Sequence, residues 1–269
     1  MSIHRFYINP DDIDGNIATI TGQDAKHLVN VLRLGSGNSV ELADGHGNHY
    51  MAEIEAATSK QVIFKIISKR FLDAESPAHI TIAQGMLKDK KMDVILRHLT
   101  ELGIKEWIPF FASRSVPCPD AIQRKEADFA IPKSYSNRKT TDVRVERWER
   151  IARESIKQCG RSLLPIVHQP MSYDKMINEA ECYDEKIAFW EKSTIPVDAI
   201  RERLSNIPSV GEQRKIIVMV GPEGGFSEQE ISIALKNGFQ SFSLGKRILR
   251  AETASIAACT LVQNIFGDI

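Results

Sequence analysis

Residues Lys215 to Ile231 read KIIVMVGPEGGFSEQEI. An apolar run ends at Val220, and a turn follows that carries Gly221, Pro222, Glu223, Gly224 and Gly225. Ser227-x-x-Glu230 is a capping box, so the turn feeds straight into a helix N-terminus. Strand, glycine turn and helix in this order belong to an open α/β sheet, whose ligands bind at the carboxyl ends of the strands. Phosphate is the usual guest of such a turn, but the residues argue against it. A P-loop needs Gly-Lys-Ser/Thr after its glycines, and a dinucleotide fingerprint needs G-x-G-x-x-G. Neither spacing is present, and Glu223 repels a polyphosphate. The ligand expected here is neutral or cationic at that point.

Downstream, LGKRILRAETASIAA (Leu244 to Ala258) repeats the arrangement: a strand end, Gly245, then a helix starting near Thr253. Loops from successive βα units can face one crevice. Arg247 and Arg250 bring positive charge to it, suited to phosphate or carboxylate, while Glu252 either hydrogen-bonds a base edge or is structural.

Working outward, residues from about 78 onwards alternate apolar runs with amphipathic segments, the pattern of a parallel sheet covered by helices on both faces. The strands are ITIAQGM, IKEWIPFF, LPIVH, KIAFW, KIIVMV and FQSFSLG. In MDVILRHLTEL, Met92, Ile95, Leu99 and Leu102 share a helical face; in RVERWERIARESIKQCG, Trp148, Ile151, Ala152, Ser155 and Cys159 do. Val116 to Asp142 shows no period, and a loop of that length in a compact domain is usually functional or mobile. Residues 1–72 read differently, as short strands (RFYI, NIATIT, SVELAD, HYMAEIEA, QVIFKIIS) broken by one helix, DAKHLVNVLRLGSG. A small β-rich domain is expected there, joined to 78–269 through a linker at Asp73 to Pro77.

The chain has 269 residues with 35 basic and 35 acidic side chains, so a polyanionic partner needs a local patch. Between Lys133 and Arg161 nine Lys or Arg face four acids, either such a patch or a solvated helix face. The four cysteines form no CxxC pair, which excludes the common zinc and disulfide frameworks, and no metal is expected. His46 and His49 lie in a glycine turn and read as solvated. Apolar runs such as IIVMV fall far short of the roughly 18 residues that span a bilayer. MSIHRFYINPDD lacks the pattern of a signal or transit peptide, so the expected location is cytoplasmic.

Taken together, VGPEGGFSEQE and LGKRILRAETA resemble the C-terminal signature of the ribosomal small-subunit RNA methyltransferases of the RsmE type, which form N3-methyluridine on 16S RNA. The similarity continues through RFYI, HLVNVLRLGSG, ESPAHITIAQGMLKDKKMDVILRHLTELGI, RSV and WERIARESIKQCGR, and so covers nearly the whole chain. It implies a PUA-like RNA-binding β-barrel over 1–72 and a SPOUT α/β methyltransferase domain over 78–269 with a C-terminal trefoil knot. Periodicity does not suggest a knot, which is a rare exception to ordinary topology. The resemblance also implies a homodimer and S-adenosylmethionine bound by three loops, here Trp190, then Gly221, Glu223, Gly224 and Gly225, then Leu244, Gly245, Ile248 and Leu249. Glu223 is tolerable beside a sulfonium and an ammonium; whether it touches the ligand or caps the turn stays open.

N3 of uridine carries an imide proton, so catalysis must remove it or stabilise the anion. Glu101 is the candidate base or orienter, or a salt-bridging helix residue; Arg114 and Arg250 are candidates for stabilising the anion or holding phosphate. Arg5, Arg33 and Arg161 are candidates for RNA phosphate contact. His98 stands where many relatives carry lysine and reads as a partly buried helix residue, and the stretch after SRSV is longer than usual. Two alternatives stay open: a SPOUT enzyme acting on another RNA position, and a catalytically silent RNA-binding assembly factor.

Overall fold

The computed structural model describes residues 3–71, 75–88, 90–115, 138–204 and 214–269. The chain divides into two compact units, Met1–Glu75 with Arg153–Leu164, and Ser76–Ala152 with Pro165–Ile269.

In the first unit, β1 (Arg5–Tyr7), β2 (Ile13–Asp14), β3 (Ile17–Thr21), β4 (Ser39–Ala43), β5 (Asn48–Ala57) and β6 (Gln61–Phe71) form one sheet in the order β1-β4-β5-β6-β3-β2. Only the β1–β4 pairing is parallel. Alternation puts Ala18 and Ile20 of β3 and Val62 and Phe64 of β6 into a core with Phe6, Val40, Leu42 and Ile54. Helix α1 (Gly22–Lys26) runs on into a π turn over His27–Val31, and Ala25 and Leu28 seal that core.

The sequence placed 153–164 wholly in the second domain. The structure groups it with the first unit: Gly47 N–H donates to Ser162 O and Leu164 N–H to Gly45 O, each at 2.9 Å, and Arg161 meets Glu75 at 2.7 Å. Neither partner has a local signature of that contact.

In the second unit, β7 (His79–Gly85), β8 (Glu106–Phe111), β10 (Met171–Ser172), β11 (Glu185–Phe189), β12 (Lys215–Val220) and β13 (Gln240–Phe242) lie in the order β10-β8-β7-β12-β11-β13, and β9 (Ile166–Val167) pairs with β8. Every pairing is parallel, as the strand-helix rhythm predicts. Helices α2 (Lys91–Glu101), α3 (Arg138–Cys159), α4 (Tyr173–Glu179), α5 (Ala199–Leu204), α6 (Glu228–Lys236) and α7 (Ala251–Phe266) complete the chain. Residues 116–137 of the aperiodic stretch lie outside the described residues, and from Arg138 onward the chain is already helical.

Period-two alternation divides the strands between two cores. Ile80, Ile82, Ile187, Phe189, Ile216, Val218 and Val220 face a cluster with Met92, Ile95 and Leu99 of α2 and Ala258 and Val262 of α7. Ala83, Ala188, Ile217 and Met219 face the other, with Tyr173 and Met176 of α4 and Ile231 and Ala234 of α6. Both faces are thus covered, and the loops after β11, β12 and β13 are left to meet at the carboxyl end of the sheet.

Candidate active site

Those three loops enclose a cavity of about 540 Å³, within the size range of sites for nucleoside-sized ligands. Trp190 and Glu191 come from the first loop, Gly221 to Phe226 from the second, and Ser243 to Gly245 and Arg247 to Arg250 from the third, with Glu252 and Ala254 from the start of α7. Trp190, Gly221, Glu223, Gly224, Gly225, Leu244, Gly245, Ile248 and Leu249, the residues named from sequence for the cofactor, all line this one cavity.

Backbone geometry explains the glycines. Gly225 has φ +66°, and a β carbon on it would stand 2.7 Å from Oε1 of Glu191. Gly245, at φ +115°, has no atom within 4 Å of the position of a β carbon, so backbone is offered to the cavity without cover. Behind the turn, Gln84 at the end of β7 donates to the carbonyls of Gly85 (3.0 Å) and Gly221 (3.3 Å) and accepts from Ser255 of α7. This buried glutamine, which sequence reasoning missed, ties three elements together at the cavity floor. Trp190 N–H donates to Phe242 O at 3.0 Å, closing the first loop onto β13.

Charge on the lining is balanced. Lys91, Arg247 and Arg250 face Glu191, Glu223 and Glu252. Lys91 was not anticipated, because α2 lies far from the signature loops in sequence. Glu223 accepts from Lys91 Nζ at 3.1 Å and from the Lys88 N–H at 3.2 Å, and Lys91 Nζ is also 3.8 Å from Glu252 Oε1. The acid in the turn is therefore a latch to the segment before α2. Among the described residues, Trp190 Nε1 and Glu252 Oε2 are buried without a hydrogen-bond partner. Orphaned polar atoms beside a cavity fit a polar ligand there.

The structure separates the proposed catalytic trio. Arg250 lines the cavity. Arg114 stands behind its wall, where its guanidinium donates to the carbonyls of Gly224 (3.0 Å) and Phe226 (3.3 Å). Glu101 is not in the lining, and its carboxylate pairs with His98 of the same helix at 3.4 Å. Lys91, at the other end of α2, does line the cavity, and an offset of ten residues separates the two by about 15 Å of helix. Glu101 thus stands at the end of α2 remote from this cavity. His98, read as partly buried, is so in this pair.

Two of the three arginines named for RNA are engaged elsewhere. Arg161 is 5% exposed and its guanidinium grips Glu75 through Nε and Nη2. Arg5 donates from Nε and Nη2 to Glu41, at 3.0 and 2.8 Å. Glu41 also accepts from Arg70 and His49; although burial raises its pKa, these bonds together hold it down at about 2. Both arginines are thus held by carboxylates of this chain, Arg161 buried and Arg5 partly exposed. Arg33 stays exposed. His49, read as a solvated loop residue, is completely buried against Glu41 instead. No cluster of metal-ligating side chains occurs among the described residues, and no described helix is long and apolar enough to cross a membrane.

The fold and its cavity define a class, that of RNA methyltransferases. Residues 74–132 and 128–263 match the family model of the RNA methyltransferase domain, and 20–67 match that of the RNA methyltransferase PUA domain. The chain belongs to the ribosomal RNA small subunit methyltransferase E family. It is 31% identical to that enzyme from Buchnera aphidicola subsp. Acyrthosiphon pisum over 99% of this chain and 95% of the relative. Against the Bacillus subtilis enzyme the identity is 28%, over 91% and 88%. Among solved structures, the Neisseria gonorrhoeae enzyme bound to S-adenosyl methionine superposes with a TM-score of 0.81 at 28% identity, covering both chains fully. A Legionella pneumophila methyltransferase in complex with bound SAM gives 0.82 at 27%, also over the whole of both chains.

Proposed function

We propose that this chain transfers the methyl group of S-adenosylmethionine to N3 of a uridine in 16S RNA of the small ribosomal subunit. The observation that carries this reading is the single cavity in which the GPEGG turn, the LGKRIL loop and Trp190 converge. When bound, S-adenosylmethionine supplies a methyl group on a sulfonium, open to in-line displacement.

This chain's residues do the rest. The bare backbone of Gly245 admits the adenosine closely, and Glu191 and Glu252 offer negative charge to the sulfonium and ammonium. Lys91, Arg247 and Arg250 form a cationic rim that favours the uridine N3 anion, lowering the work of removing the imide proton. With the N3 anion so stabilised, the imide proton passes to solvent water, and the N3 lone pair then displaces the sulfonium sulfur at the methyl carbon. The first unit acts as the RNA-holding module, with Arg33, Lys65 and Lys69 among its exposed cations.

After β13 the chain returns to lay α7 on β12, β7 and α2, which supports the trefoil threading. The protein works as a homodimer in the cytoplasm with the cavity near the subunit interface; Ile248, on the third loop and 85% exposed, supports such cover. The test is incubation with labelled S-adenosylmethionine and unmodified small subunits, followed by digestion and identification of the nucleoside. N3-methyluridine is expected. A 2′-O-methyl or other base product would move the reaction to another position, and no cofactor binding would leave an assembly factor.

A further inference from the structure

We infer that Glu230 is a positioning residue for the methyl-donor site, acting through Arg114. The inference rests on the reading of the cavity as the S-adenosylmethionine site. Glu230 is fully buried on the first turn of α6, and its carboxylate accepts four hydrogen bonds. Two are the capping box's own side: Ser227 N–H at 2.8 Å and Ser227 Oγ at 2.9 Å. A helix cap needs no more. The other two come from a different βα unit, from the turn after β8: Ser113 N–H at 2.7 Å and Ser113 Oγ at 2.9 Å.

The next residue after Ser113 is Arg114, whose Nη1 donates to Gly224 O at 3.0 Å and Phe226 O at 3.3 Å. The two segments are in close contact, since a β carbon on Gly224 would lie 2.8 Å from Cβ of Arg114. One carboxylate therefore holds the root of Arg114 and the start of α6 on the same two oxygens, while the guanidinium closes the circuit on the carbonyls of the cofactor turn. An arginine is long and loses much rotamer freedom when it is pinned. Fixing its backbone at Ser113 removes part of that loss beforehand, so Arg114 shapes the Gly224–Phe226 backbone only while Glu230 is in place. Further support comes from Tyr173 Oη, which donates to the backbone carbonyl of Glu230 at 2.5 Å, and from the stacked rings of Phe110 and Phe226, 6.3 Å apart.

The test compares the full-length protein with Glu230→Gln, Ser113→Ala, Arg114→Ala and the pairs Glu230→Gln/Arg114→Ala and Ser113→Ala/Arg114→Ala. Calorimetry reads S-adenosylmethionine affinity, initial rates on small subunits read kcat and KM for RNA, and thermal melts report folding. Glutamine turns an amide N–H toward the Ser113 and Ser227 donors; Ser113→Ala removes the Oγ bond to Glu230 and leaves the Ser113 N–H bond to it in place. Each single variant is expected to weaken cofactor affinity about tenfold with KM for RNA unchanged. In either paired variant the second change adds less than about twofold, as it must if both act through one contact. Multiplicative effects in the paired variants, or unchanged cofactor affinity in Ser113→Ala or Arg114→Ala, would overturn the inference while leaving the methyltransferase reading intact. Failure of the unmodified protein to bind S-adenosylmethionine would overturn both.

Discussion

Nζ of Lys91 lies 3.1 Å from Oε1 of Glu223, and the backbone N–H of Lys88 donates to that same oxygen at 3.2 Å. The one acid in a glycine turn thus faces α2 and clasps the turn to it. The side chains of the pair are 38% and 28% exposed, so the ion pair is worth on the order of 0–1 kcal/mol. Glu223→Gln is expected to weaken S-adenosylmethionine binding by only about two- to fivefold, measured by calorimetry, with little change in melting temperature. A hundredfold loss would show that the carboxylate touches the ligand.

Gly85 sits where β7 runs into the cofactor turn, and a β carbon there would be 2.6 Å from Pro222 N and 2.9 Å from Gly221 C. Both neighbours are backbone and have little room to give. Gly85→Ala should therefore destabilise by about 2 kcal/mol and cut cofactor affinity roughly tenfold, read from urea unfolding and calorimetry. Wild-type affinity would mean that the turn does not depend on this close approach.

Arg250 lines the cavity and Glu101 does not. In methylation assays at saturating cofactor, Arg250→Ala is expected to lower kcat by about a hundredfold through the lost stabilisation of the N3 anion, and Glu101→Gln to change it less than about twofold. A large loss in Glu101→Gln would restore the carboxylate as base.

Glu106 receives hydrogen bonds from His168 at 2.6 Å and His79 at 2.8 Å, which hold its carboxyl at about 2 against the burial that raises it. A carboxyl with a lower pKa in the native state binds fewer protons there than when unfolded. Its stabilisation is complete above the ordinary value of 4.5 and drains away as pH falls towards about 2. In urea melts between pH 5 and 2.5, Glu106→Gln should lose part of the acid sensitivity, up to about 3 kcal/mol across that window. Glu41, also held near 2, supplies a separate share in the first unit. An unaltered pH dependence would show that Glu106 titrates alike folded and unfolded.

Arg161 and Glu75 form a buried pair, 6% and 9% exposed at their side chains. Arg161→Ala leaves the carboxylate without its guanidinium and should destabilise the first unit by about 3–5 kcal/mol, seen as faster hydrogen exchange over β4 and β5. The salt dependence of RNA binding by the folded fraction should keep its slope, because this guanidinium neutralises no phosphate. A slope reduced by about one would return Arg161 to the RNA interface.

Local chemistry sufficed for much of this protein. Period-two alternation in KIIVMV and ITIAQGM already sorts their side chains between two covered faces, and Ser227-x-x-Glu230 marks the helix start as a capping box. Glycines beside an acid were enough to set aside a phosphate loop, because spacing and charge are written along the chain. LPIVH marked β9, but the two-residue strand β10 escaped notice, since two residues display no period. Contacts between distant residues had no sequence signature either. Arg161 finds Glu75 86 positions away, Arg5 finds Glu41 36 away, and Lys91 reaches Glu223 across 132. Which of two exposed-looking charges is buried, and which end of α2 enters the cavity, follow from how the strands are ordered in the sheet. A helix of eleven residues has two ends, and only the packing of α2 beside the β12 turn decides that Lys91, rather than Glu101, lines the cavity.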